Sequence, residues 1–238
     1  MKKLILFLTL IGISTTTEAQ WFGKRINGNG KIVTITRNVD DYDQISVAGS
    51  FDVELVAGTE GKLTIKMDEN LIEYLVTEVE GQKLKIRWEK GINISTRSKL
   101  LITVPFKDIN EVSLSGSGDI FTEDLISGNK LKAALSGSGD IKLRVDTKDL
   151  TTAISGSGDI AITGETDTLD CAISGSGAFK GNSLKAKTVE ISIAGSGDAS
   201  VDTVEYLNVR IAGSGDVTYS GNPKQDVKIS GSGSVRSR

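Results

Sequence analysis

The chain has no histidine, a single cysteine, two prolines and few aromatic residues. Without histidine, Ser-His and Cys-His nucleophilic mechanisms are excluded and the commonest general base and metal ligand is missing. With Cys171 alone, no internal disulfide exists, so stability comes from packing and backbone hydrogen bonds. Trp21, Trp88, Tyr206 and Tyr219 are scattered and build no aromatic platform for sugars; Trp88 is expected to pack an N-terminal cap. There is no basic excess either, which argues against a nucleic-acid partner.

Long hydrophobic runs are confined to Leu4–Ile13, too short to span a bilayer. Preceded by Lys2 and Lys3 and followed by the small-x-small site Thr17-Glu18-Ala19, this run reads as a secretory signal peptide over residues 1–19. No cysteine at the cleavage point supplies a lipid anchor. The mature chain is expected to begin at Gln20, with no transmembrane segment, in the periplasm, on the cell surface or outside the cell. Losing Lys2, Lys3 and Glu18 with the leader takes the 28 basic and 31 acidic residues to 26 and 30, net −4.

What the sequence has is a repeat. Ser115-Gly116-Ser117-Gly118-Asp119 recurs at Ser136, Ser155, Ser174, Ala194, Ala212 and Ser230, in steps of 21, 19, 19, 20, 18 and 18 residues. A motif held at that period means one unit stacked on itself, a solenoid. Around each copy the apolar residues alternate: Val112, Ala133, Thr152, Cys171, Ile191, Val209 and Val227 in one column; Leu114, Leu135, Ile154, Ile173, Ile193, Ile211 and Ile229 in the next; Ile120, Ile141, Ile160, Phe179, Ala199, Val217 and Val235 after the motif. That period of two is a strand with one buried face. Cys171 therefore reads as a core residue. Strict alternation turns both glycines inward and the serines and aspartate outward, with the glycines at a corner between walls.

Each period is expected to hold a strand into the corner, a second short strand and a short polar loop such as Gly164-Glu165-Thr166-Asp167 or Ser220-Gly221-Asn222-Pro223. The leucine-rich alternative lacks its Leu-x-x-Leu-x-Leu frame and Asn ladder. The fold class is therefore all-β: a parallel β-helix over residues 111–238, a rod on the order of 34 Å at the usual strand spacing, behind an irregular β-rich cap over residues 20–110 of the same domain.

In that cap Lys31–Thr36, Gln44–Val56, Lys62–Met67, Lys83–Trp88 and Lys99–Val104 alternate as strands. Ala48-Gly49-Ser50-Phe51-Asp52 is a decayed copy of the pentapeptide, which suggests that coiling starts there and is interrupted by an excursion. Asp68 reads as the N-capping acid of a short helix carrying Leu71, Ile72 and Leu75.

Ile45-Ser46-Val47-Ala48-Gly49-Ser50-Phe51-Asp52-Val53, Asp68-Glu69-Asn70-Leu71, Val104-Pro105-Phe106 and the Ser-Gly-Ser-Gly-Asp ladder together resemble the bacterial family labelled putative auto-transporter adhesin, head GIN domain, over roughly residues 30–235. The resemblance implies a right-handed β-helix and export, commonly in Bacteroidetes-type bacteria. It implies little about chemistry, the adhesin label being itself an inference from fold. An autotransporter needs a C-terminal membrane barrel; no such strands follow the ladder here, so self-translocation is not expected.

Two sets of outward residues are candidates for a surface site. Asp119, Asp140, Asp159, Asp198 and Asp216 form a column broken by Ala178 and closed by Ser234. Carboxylates one coil apart repel by about 0.9 kcal/mol in water. Such a column is oxygen-rich enough to suggest Ca²⁺, but the interruption and the absent double glycine favour a solvated turn residue, and no metal or other cofactor is expected. Ser115, Ser117, Ser136, Ser138, Ser155, Ser157, Ser174, Ser176, Ser196 and Ser214 form hydroxyl ladders beside the small residues Ser113, Ala134, Ala153, Ala172 and Ser192.

No catalytic residue stands out. The expected function is an exported, non-catalytic binding or adhesion module that uses its lateral wall for a glycan, a cell-wall polymer or a protein. The alternatives are a polysaccharide-degrading β-helix enzyme, which needs long groove-building loops and clustered acids, and a structural envelope protein without a ligand. No oligomeric state is predicted.

Overall fold

The computed structural model describes residues 24–238; the expected leader lies outside the described residues. In chain order the elements are β1 (Lys24–Asn27), β2 (Ile32–Asn38), β3 (Gln44–Gly49), β4 (Asp52–Ala57), β5 (Lys62–Asp68), a 3₁₀ helix (Glu69–Tyr74), β6 (Leu75–Glu80), β7 (Lys83–Trp88), β8 (Ile92–Ser95), β9 (Leu101–Phe106), β10 (Glu111–Gly116), β11 (Ile120–Gly137), β12 (Ile141–Gly156), β13 (Ile160–Gly175), β14 (Ala178–Gly195), β15 (Asp198–Gly213), β16 (Asp216–Ser220), β17 (Lys224–Gly231) and β18 (Ser234–Ser237).

From β10 onward the chain is a parallel β-solenoid, as the repeat predicts. Each copy of the motif pairs in register with the next: Ser136 with Ser155, Gly137 with Gly156, Ile154 with Ile173. The three apolar columns are buried through the body of the rod, and Cys171 lies fully buried above Thr152.

The glycines have a more specific cause than a corner alone. A Cβ on Gly137 would stand 2.3 Å from Gly116 O, and one on Gly139 1.9 Å from Gly118 O, so the carbonyl of the coil below occupies the place of each missing side chain. Gly116 O accepts from both Ser138 N (3.0 Å) and Gly139 N (3.1 Å), and Gly137 O accepts from Ser157 N and Gly158 N in the same way. The first glycine of each motif has φ between +124° and +143°, a region L side chains avoid.

The polar loops are fewer than the sequence suggests. Gly164-Glu165-Thr166-Asp167 lies within β13, a strand of 16 residues that turns a second corner without leaving the ladder. Two side-chain features allow this. A Cβ on Gly164 would stand 1.9 Å from Val145 O. Thr166, 5% exposed, turns inward, donates to Thr168 O at 3.0 Å and accepts from Thr147 at 3.3 Å, so corner carbonyls are satisfied internally. Of Ser220-Gly221-Asn222-Pro223, Ser220 still pairs with Asp202, and the last three residues leave the ladder between β16 and β17.

The decayed pentapeptide is the first coil. β3 lies parallel under β10 with Ala48 opposite Ser115, and Val53 in β4 pairs with Ile120. Strand Gln44–Val56 is therefore broken at Ser50-Phe51, where the Phe51 carbonyl takes the place of a Cβ on Gly118 and the Phe51 ring packs against Gly49 and meets Trp88 edge-on at 5.3 Å. Below it, β7 pairs with β3 and β9 with β4, both parallel. Antiparallel pairs then close this end: β6 on β7, and β2 and β9 on β5.

The short helix is 3₁₀ rather than α, and Asp68 does not cap it through its side chain. The buried carboxylate instead accepts from Gly30 N (2.5 Å), Thr96 Oγ1 (2.7 Å) and Ser98 Oγ (3.2 Å). Asn70 Oδ1 accepts from Asn29 N, and its Nδ2 donates to Asn27 O. Asp68 and Asn70 thus tie the β1–β2 and β8–β9 connections together.

Candidate functional site

The structure separates the candidate residues into three surfaces. Ser115, Ser136, Ser155 and Ser174 line a shallow groove of about 560 Å³ that runs along the rod axis. Its other flank is Ser46, Ser113, Ala134, Ala153, Ala172 and Ser192, two positions earlier on each strand, and the backbone of the intervening Leu and Ile column, whose side chains point into the core, forms its floor. The two small-residue rows leave backbone, methyl and methylene groups exposed, so the groove is mainly apolar with hydroxyls along its rims.

Ser117, Ser138, Ser157, Ser176, Ser196 and Ser214 are exposed but stand on the corner, outside this groove. The coil closing each end of the groove carries basic residues: Lys85 and Arg87 pair with Ser46 and Ala48 at one end, and Arg210 pairs with Ser192 at the other. Arg87 is bridged to Glu78 (2.9 Å) and Arg210 to Asp226 (2.9 Å), while Lys85 contacts Glu80. These basic ends were not singled out from the sequence, because they sit where the pentapeptide is absent or its flank has drifted.

The Asp column lies past the corner, on the next wall, and is occupied with the backbone. Oδ1 of Asp119 accepts from Asp140 N (3.0 Å), Asp140 from Asp159 N (2.9 Å), Asp159 from Ala178 N (2.9 Å), Asp198 from Asp216 N (2.8 Å) and Asp216 from Ser234 N (2.8 Å). Each carboxylate thus serves the coil above it, as an N-cap side chain serves a helix. Lys180 also reaches Asp159 Oδ2 at 2.5 Å. Asp216 is held below the ordinary carboxylate range by its bonds from the Ser234 hydroxyl and backbone and by nearby Arg236. Among the described residues no three His, Cys, Asp or Glu side chains gather into a metal-ligating group.

Burial pushes the Cys171 thiol up to about 12, so no thiolate nucleophile is available. Lys148, Glu165, Asp167, Lys185 and Lys187 surround a second depression of about 630 Å³ at the Thr166 corner, but opposite charges alternate there, with Lys187 and Asp167 2.5 Å apart.

Comparison with known proteins follows this architecture. Residues 41–223 match the model of the family described as putative auto-transporter adhesin, head GIN domain. A crystal structure of a putative lipid binding protein from Parabacteroides distasonis superposes with a TM-score of 0.74 at 31% identity, covering 90% of this chain and 100% of that one. A putative adhesin from Bacteroides fragilis gives 0.82 at 21% identity, with the same coverage. One from Parabacteroides merdae gives 0.77 at 24% identity, covering 90% of this chain and 99% of that one. A search of the curated proteins found no match. Among the described residues no helix is long and apolar enough to cross a membrane.

Proposed function

The chain belongs to the putative auto-transporter adhesin, head GIN domain family, and on that premise we propose that it is an exported, non-catalytic binding module whose ligand lies along the lateral groove. The observation that carries this reading is the groove itself: paired rows of small residues extend over six strands, from Ser46 in β3 to Ser192 in β14. A uniform floor and regular rim hydroxyls suit an extended ligand with its own repeat. Contacts made in register along such a ligand reinforce one another through effective concentration. The proposed ligand classes are a glycan, a cell-wall polymer or an extended protein segment. The long loops and concentrated acids of a polysaccharide-cleaving β-helix have no counterpart among the described residues: the Asp column is held by backbone amides and turned away from the groove.

A second reading has its own support. The groove is mainly apolar, and a relative 31% identical to this chain is described as a putative lipid binding protein. An acyl chain laid along the floor would bury methylenes at about 0.8 kcal/mol each, with its head group at one of the basic ends.

The test is a titration of graded ligands against the wild-type protein and against Ser136→Lys/Ser155→Lys/Ser174→Lys. Oligosaccharides of increasing length and fatty acids of increasing length form the two series. The polymer reading expects affinity to rise steeply with oligosaccharide length and to disappear in the triple variant. The lipid reading expects the same dependence on acyl length. Turnover of any polysaccharide by the purified protein would overturn both.

A further inference from the structure

The two ends of the rod differ. The first coils end on antiparallel strands, β6 on β7 and β2 on β5, whereas the last coil ends on parallel ones, β17 on β15 and β18 on β16. Among the described residues nothing covers the outer edge of this last coil. Val227 and Ile229, which continue columns buried everywhere below, are 37% and 41% exposed. Gln225 replaces the Leu of the same column and hydrogen-bonds Tyr219 at 2.8 Å.

The direction of the free backbone groups follows from the ladder. Lys132 N donates to Asn110 O in the coil below, and Asp226 occupies the Lys132 column. Alternate residues of a strand face opposite neighbours. Asp226, Lys228 and Ser230 therefore face β15, and the N–H and C=O groups of Gln225, Val227 and Ile229 face the open end.

We propose that this edge is a docking surface for a second copy of the chain, the two β17 strands pairing antiparallel about a two-fold axis at Val227. A two-fold contact brings one patch against itself, and the charge pattern selects the register. Centred on Val227, the strands oppose Val227 to Val227, Gln225 to Ile229, and Asp226 to Lys228 in both directions. The Asp226–Lys228 pairs fall at the non-hydrogen-bonded positions, where opposed side chains come closest. Arg210 occupies Oδ2 of Asp226 and leaves Oδ1 to meet the lysine. A shift of two residues either way opposes Asp226 to Asp226 or Lys228 to Lys228. A shift of one opposes an inward to an outward residue and mismatches the hydrogen bonds. The same β17 edge serves both copies and is used up in the contact, so the assembly closes as a dimer. This inference is independent of what the lateral groove binds.

Sedimentation and light scattering of the purified protein over micromolar to millimolar concentrations test it. The wild type is expected to dimerise. Lys228→Asp and Asp226→Lys, each alone, oppose like charges twice and should weaken self-association at least tenfold, while an equimolar mixture of the two restores a dimer of one chain of each kind. Val227→Pro removes the central outward N–H without touching the bonds to β15 and should give a monomer with a wild-type melting temperature. A wild type that stays monomeric throughout, single variants that associate as tightly as the wild type, or a mixture that does not restore the dimer would each overturn the proposal.

Discussion

Oδ1 of Asp140 accepts the backbone N–H of Asp159, the residue at the same place in the next coil, at 2.9 Å. The last residue of the pentapeptide therefore acts between coils. Its carboxylate supplies the acceptor that an amide needs where the chain leaves the corner and the regular ladder has not resumed. Like charges along the column are tolerated because each carboxylate also gains that hydrogen bond.

Asp140→Ala should lower stability by about 1 kcal/mol, the usual net worth of such a bond. Asp140→Asn keeps an acceptor oxygen and removes repulsion from Asp119 and Asp159, so its effect should stay within about 0.5 kcal/mol. Chemical denaturation of the two variants separates this account from one in which the aspartate is merely a solvated surface residue, for which neither should matter.

Two glycines should respond in opposite directions. Gly139→Ala places a Cβ against Gly118 O, a backbone atom with no freedom to yield, and should cost at least about 3 kcal/mol or prevent folding. Nothing lies within 4 Å of a Cβ on Gly128, within β11, and its backbone needs no positive φ. Gly128→Ala should be neutral or stabilise by about 0.4–1 kcal/mol through the unfolded chain. Thermal melts of both variants check the pair.

How much of this was legible from sequence depends on the residue. Period-two columns such as Leu135, Ile154 and Ile173 state the buried face directly, because a strand alternates strictly, and the repeat states the stacking. The Gly-Ser-Gly corner was visible, but its cause is a carbonyl from a coil about twenty residues away, which no local pattern displays. Gly164-Glu165-Thr166-Asp167 looked like a loop because its residues are polar; Thr166 turns inward and satisfies the backbone there, so the strand continues. Asp68 looked like a helix cap because Asp before a short apolar run usually is one, while its partners Gly30, Thr96 and Ser98 are brought to it by the fold. Ser136 and Ser138 looked equivalent as outward serines, yet the bend between them puts one in the groove and the other on the corner.

Asp68 gives the fold an acid limb. Burial alone would raise its pKa, but the bonds from Thr96, Gly30 and Ser98 outweigh burial and hold the carboxyl below its ordinary range. A carboxyl whose folded pKa is depressed contributes stability that is fully present above its unfolded value and fades as pH falls through the folded one. Wild-type stability should therefore decline below about pH 4, the ordinary carboxylate region. Asp68→Asn, which cannot ionise, should be less stable at neutral pH and should show a shallower decline. Parallel acid limbs for the two proteins would contradict this assignment.

Cys171 should be inert. A fully buried thiol pushed up to about 12 carries almost no thiolate at neutral pH. A thiol-reactive dye should label the native protein only as fast as the chain unfolds, and label it at once in denaturant. Cys171→Ser, which buries a hydroxyl in the same column, should cost about 1–3 kcal/mol. Rapid labelling of the native state would show the column to be open.

The proposed function is tested most directly without choosing a ligand beforehand. A photo-crosslinking residue, benzoylphenylalanine, is placed at Ala153 on the groove flank or at Thr163, exposed on a different wall of the rod, and each protein is irradiated with envelope extract from the producing bacterium. Adducts to a polymeric or acyl species formed at position 153 and absent at position 163 are the predicted result. Equal yields at both positions, or adducts at 163 alone, would contradict the assignment of the ligand to the groove.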